Sequence, residues 1–66
     1  MTWLPVSDGF ARSECGRFDL IRTPDRIPGG WLWLCIDGDL GRTFKALRGD
    51  CAAWAKGMVG QQRMSA

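Results

Sequence analysis

Two aspartates one residue apart, three cysteines and a pair of tryptophans are the side chains of this 66-residue chain whose types and spacing bear on chemistry. Asp37-Gly38-Asp39-Leu40-Gly41 sets carboxylates at alternate positions, as a calcium loop begins. Such a loop needs glycine at its sixth position and a bidentate glutamate at its twelfth; Arg42 and Arg48 stand there, so the segment reads as a hairpin turn with solvated aspartates. Cys15, Cys35 and Cys51 form no C-x-x-C pair, and the chain has no histidine to complete a zinc set. Cys35 lies in an apolar run and Cys51 at helical spacing among apolar residues, which reads as buried free thiols; a disulfide from Cys15 to Cys35 or to Cys51 is the alternative. A cysteine without a histidine base and a single glutamate, Glu14, supply no acid–base constellation. The reading is a non-enzymatic protein with no cofactor and no metal.

The tryptophans carry more information. Trp31 and Trp33 alternate along one apolar run, and aromatic side chains left uncovered on a small domain mark binding surfaces. Arginine supplies seven of the nine basic residues, a bias that suits phosphate contacts, but aspartates are interleaved with them along the strands. Charge is laid out unevenly. Residues 1–39 hold Arg12, Arg17, Arg22 and Arg26 against Asp8, Glu14, Asp19, Asp25, Asp37 and Asp39; residues 40–66 hold Arg42, Lys45, Arg48, Lys56 and Arg63 against Asp50. The first part is mildly acidic and the second basic, which the net charge of +2 conceals.

A chain this short supports a single core, so these side chains must be held by one domain spanning residues 1–66. Residues 3–6 are a short extended piece that Pro5 confines to a sheet edge, ended by the Ser7-Asp8-Gly9 turn signal. Residues 17–23 alternate, with Phe18 and Leu20 facing one way and Arg17, Asp19, Ile21 and Thr23 the other. Two prolines and Gly29-Gly30 then predict a long loop. Residues 31–37 are the strongest strand, with Trp31, Trp33 and Cys35 on one face and Leu32, Leu34 and Ile36 on the other. Asp37-Gly38 turns the chain into a shorter strand at 40–45. From residue 46 to 59 the period becomes helical, with Leu47, Cys51, Trp54, Ala55 and Met58 on one stripe; Gly57 or Gly60 ends the helix and residues 60–66 form a tail. The fold class is α+β, an antiparallel sheet of three to four strands against one C-terminal helix in two layers. One stripe covers one sheet face. It is expected to bury Leu32, Leu34 and Ile36 under Leu47, Trp54 and Met58, leaving Trp31 and Trp33, with Ile21 a candidate beside them, uncovered; a fold of Trp3 and Phe10 over the tryptophans, or a helix on the tryptophan side, are the alternatives.

Gly16 to Arg22, then Gly30 to Gly41, then Phe44 and the alanine-rich helix together resemble the small orphan proteins of phages and mobile elements, and among these the anti-CRISPR proteins. The resemblance implies a compact, non-catalytic inhibitor that covers a nucleic-acid-recognising surface of a host defence complex, its partner a protein subunit of a bacterial CRISPR effector complex. In that role Trp31 and Trp33 anchor the contact, and Asp19, Asp37 and Asp39 meet basic residues that otherwise hold DNA. The alternative is a small nucleic-acid-binding regulator using the basic C-terminal part. No basic region followed by a long apolar run opens the chain, so the expectation is a monomer in the host cytoplasm without a membrane partner.

Overall fold

Turn chemistry orders the strands. The computed structural model describes the backbone of residues 1–65 and the side chains of residues 1–59. Its elements are β1 (Trp3–Ser7), β2 (Phe10–Ser13), β3 (Phe18–Ile27), β4 (Gly30–Asp37), β5 (Arg42–Ala46) and α1 (Arg48–Ser65). Each strand pairs antiparallel with the next, giving one sheet in the order β1-β2-β3-β4-β5. The α+β architecture is as expected from the sequence, with five strands instead of three to four.

The additional strand is β2, which returns from the Asp8-Gly9 turn and pairs with both β1 and β3. Residues 23–30 are not a long loop. β3 continues to Ile27, and its partner register shifts between Arg22 and Arg26, an irregularity that accommodates Pro24 without a ladder donor. Pro28 and Gly29 then close a two-residue turn, Pro28 fixing the first turn dihedral and Gly29 adopting a φ of 98°. Gly29 is required for space as well, because a Cβ there would lie 2.8 Å from Leu47 Cδ1. β5 begins at Arg42, two residues later than expected. The helix starts at Arg48 and runs past Gly57 and Gly60 to Ser65, so the expected tail is helical over residues 60–65, while residue 66 lies outside the described residues.

Register decides which face the helix covers. Directly opposed residues of an antiparallel pair share a face. Leu20 opposes Ala11 and Cys35, and Cys35 opposes Phe44; Phe18 opposes Asp37, and Trp33 opposes Ala46. These are the positions under α1. The core is Ala11, Phe18, Leu20, Cys35, Cys51, Ala55 and Met58, with Trp3, Trp33, Phe44, Ala46 and Trp54 packed around it. Small Cys51 and Ala55 let the helix approach the strands closely, and the Cys51 thiol donates to the Trp33 carbonyl at 3.4 Å. Trp54 stacks on Phe44 at 5.4 Å and meets Phe18 edge-on at 6.5 Å.

The expected burial of Leu32, Leu34 and Ile36 under Leu47, Trp54 and Met58 is therefore corrected. The helix lies on the Trp33–Cys35 side, and Leu47 packs at the β3–β4 turn against Gly29. Both faces of β4 are apolar, so hydropathy within that strand cannot choose between them. The choice comes from β3, where Phe18 and Leu20 outweigh Asp19 and Ile21 as core formers and carry Asp37, Cys35 and Trp33 with them through the register.

Candidate functional site

The five residues expected to act together do not share a surface. Asp37 is 0% exposed. Its carboxylate accepts two hydrogen bonds from Arg17, from Nε at 2.9 Å and from Nη2 at 2.8 Å, and its Oδ1 accepts the backbone N–H groups of Asp39 and Leu40. These contacts hold Asp37 well below the usual carboxylate range, the Arg17 hydrogen bonds being the largest cause. Arg17 Nη2 also reaches the Met58 carbonyl at 3.4 Å, so one guanidinium ties the turn before β3, the end of β4 and the helix together. Asp37 is a structural group, and its expected contact with a partner is corrected on that ground.

The others are dispersed. Asp39 lies in the turn after β4, with Oδ2 3.7 Å from Arg17 Nε. Asp19 projects from the face away from the helix and pairs with Arg12 at 2.9 Å. Trp33 is half-buried beside the helix, while Trp31, at the opposite end of β4 from Asp37, is 39% exposed. Trp31 and Asp37 are six residues apart on one strand, about 20 Å at the usual rise. The basic C-terminal residues are similarly divided: Arg42 opposes Asp37 on the helix side, Lys45 opposes Leu34 on the other, and Arg48 and Lys56 belong to α1. Trp3 and Phe10 do not form a lid, because Trp3 packs on the core side and Phe10 opposes Ile21 on the other face.

That other face is the feature the strand patterns assemble. Two cross-strand rows run over it. The first passes through Leu4, Arg12, Asp19, Ile36 and Thr43; the second passes through Phe10, Ile21, Leu34 and Lys45. Alternation adds Leu32 beside Leu34 on the same side. Phe10, Ile21, Leu32, Leu34 and Ile36 are half-buried by their neighbours in the sheet, and Leu4 is 49% exposed. Among the described residues no element lies over these side chains, since the helix packs on the opposite layer. Apolar side chains from β2, β3 and β4 thus meet solvent along one surface, with the Arg12–Asp19 pair separating Leu4 from Ile36 in the first row and Lys45 closing the second. The Arg12–Asp19 pair, with half of the arginine in water, adds little stability and remains available to a partner.

The alternation that sets Phe18 and Leu20 opposite to Ile21 holds, but the expected placement of Ile21 with Trp31 and Trp33 is corrected: Ile21 opposes Leu34, on the other face of β4. The signal was the Pro28-Gly29 turn. A two-residue turn sets even-numbered residues of β3 against odd-numbered residues of β4, and the register shift near Pro24 amounts to two residues, which leaves that parity intact. Leu20 then falls with Cys35, and Ile21 with Leu34.

The three thiols are free. Cys35 and Cys51 are buried, as read from their apolar settings, and loss of solvent pushes Cys35 up to about 12 and Cys51 upward as well. Cys15 is exposed, and the Ser13 hydroxyl 3.4 Å away is the main cause that lowers it. Among the described residues there is no group of three or more metal-ligating side chains, no pocket, and no helix long and apolar enough to cross a membrane. Comparison with protein-family models, curated proteins and solved structures gives no match.

Proposed function

We propose that this chain is a non-enzymatic binding protein that docks on another protein through the open sheet face, with Phe10, Ile21, Leu34 and Ile36 as the apolar centre of the contact. The observation that supports this reading is the continuous apolar row from β2 to β4, over which no element lies among the described residues. Leu34 and Ile21 are already half-buried, so a partner gains only the remaining part of the roughly 1.5–3 kcal/mol that complete burial of such a side chain is worth, before the costs of association, and the contact needs the whole row. Arg12, Asp19 and Lys45 form the polar rim, which selects the partner and speeds encounter more than it adds affinity. The resemblance to anti-CRISPR proteins gives this proposal its narrower form, an inhibitor that covers a protein subunit of a bacterial CRISPR effector complex, and that form rests on the resemblance alone.

Co-purification of the tagged chain with a CRISPR effector complex tests both forms. Leu34→Lys places a charge at the centre of the row and is expected to weaken capture about thirtyfold or more, the effect of removing a central anchor. Asp39→Lys, in the distant turn, is expected to leave capture unchanged. Thermal melts of both variants show whether each is folded. Capture that survives Leu34→Lys and disappears in Asp39→Lys would return the contact to the carboxylates and end the open-face reading.

A further inference from the structure

A second surface stands on the helix side of the sheet, at the end away from Asp37. Arg22 and Arg26 place their guanidinium carbons 5.6 Å and 4.6 Å from the centre of the Trp31 ring, and Arg48 at the start of α1 places its own 5.5 Å from the Trp33 ring. Trp31 and Trp33 are alternate residues of β4, about 7 Å apart on one face. Three guanidinium groups are therefore gathered over two neighbouring indoles.

Asp8 pairs with the cluster, and Asp25 and Asp50 are neighbours of Arg26 and Arg48 in sequence. Asp8 accepts from Arg22 Nη2 at 3.0 Å, and its side chain is 91% exposed, so it can swing into solvent when another anion arrives. Arg26 and Arg48 make no ion pair among the described residues. A guanidinium laid over an indole is held by the ring quadrupole and keeps its in-plane N–H donors directed outward, the geometry that meets a phosphate. The partly exposed Trp31 ring and the outer guanidinium faces offer flat surfaces on which unstacked bases lie.

We propose that Arg22, Arg26, Trp31 and Arg48 form a short binding site for single-stranded nucleic acid, contacting phosphates through the arginines and a base through Trp31. Single strands are favoured over a duplex because a duplex keeps its base faces stacked inside and leaves Trp31 nothing to do. The site lies on the opposite face from the apolar row, so either reading stands without the other.

Fluorescence anisotropy of a labelled twelve-residue oligothymidylate tests the site. Binding is expected at low salt, with a log–log salt slope of about −2, since each phosphate contact by a cation on a single strand contributes about −0.7. Arg26→Gln with Arg48→Gln is expected to reduce the slope to about −0.7, and Trp31→Ala to weaken binding about tenfold at unchanged slope. All three positions carry exposed residues, and circular dichroism checks that each variant is folded. Absence of binding at low salt, a slope unmoved in the double arginine variant, or equal binding of a duplex or of an oligoglutamate peptide would each overturn the proposal.

Discussion

Asp37→Ala is expected to lower the unfolding free energy by about 3 kcal/mol, measured by urea denaturation at neutral pH. Native stabilities of about 0.05–0.15 kcal/mol per residue put a 66-residue chain at about 3–10 kcal/mol, so this one substitution removes a large share. Three losses combine. The Arg17 guanidinium, which makes two hydrogen bonds to Asp37, is left among the core residues without its carboxylate, and the turn N–H groups of Asp39 and Leu40 lose their acceptor. The figure is taken at the low end for breaking a buried pair because the guanidinium lies at one end of a small sheet, where water can reach it after rearrangement. Arg17→Met combined with Asp37→Asn is expected to cost less than Asp37→Ala alone, since no charge stays buried and asparagine still offers Oδ1 to the turn. A cost below about 1 kcal/mol for Asp37→Ala would reduce the pair to an ordinary surface ion pair.

The same pair gives the protein an acid limit. Asp37 titrates below its ordinary value in the folded protein and near 4 once unfolded. The stability it contributes is thus fully present above about pH 4 and is lost as the pH falls through the lowered folded value. Urea midpoints of the native protein should drop between neutral pH and pH 3 by more than those of the Arg17→Met, Asp37→Asn double variant.

Trp54→Ala is expected to cost about 3 kcal/mol, because the indole fills the angle between helix and sheet against Phe44 and Phe18. The informative quantity is how that loss couples to others. In a double-mutant cycle Trp54→Ala and Phe44→Ala should interact by about 1 kcal/mol, as stacked rings do, whereas Trp54→Ala and Leu34→Ala should be additive. Leu34 lies on the far side of β4, and no part of the indole reaches it. Strong coupling to Leu34 with none to Phe44 would move the helix to the other side of the sheet.

How much of this was legible in the sequence varies by element. β4 and the helix stripe announce themselves through period-two and helical spacing; Cys51, Trp54, Ala55 and Met58 of that stripe turn towards the sheet, whereas Leu47 precedes the helix and packs at the β3–β4 turn. β2 was not read because Phe10-Ala11-Arg12-Ser13 holds one large apolar residue; its extended form comes from pairing on both sides, a tertiary effect. The extension of β3 was hidden by Pro24, whose ordinary meaning is a strand end and whose place here is a register shift. The open face is the costliest misassignment, since it was expected on the Trp31–Trp33 side of β4 and lies on the Leu34 side. It depended on parity across a turn, which residue types within β4 do not encode. Asp37 was misjudged for a related reason: its partner Arg17 is twenty positions earlier, and only the register brings the two together.

Thiol labelling at two adjacent positions tests the central claim, that the helix covers the Cys35 side of β4 and leaves the Leu34 side open. In the native protein one thiol, Cys15, should react rapidly with an aromatic disulfide reagent, while Cys35 and Cys51 wait for unfolding, since both are buried and hold their protons. In a Cys15→Ser, Leu34→Cys variant the introduced thiol should react at a rate near that of an exposed cysteine, with Cys35 beside it still protected. A protected position 34 next to a reactive Cys35 would contradict the account, because the covered and open faces of the sheet would then be exchanged.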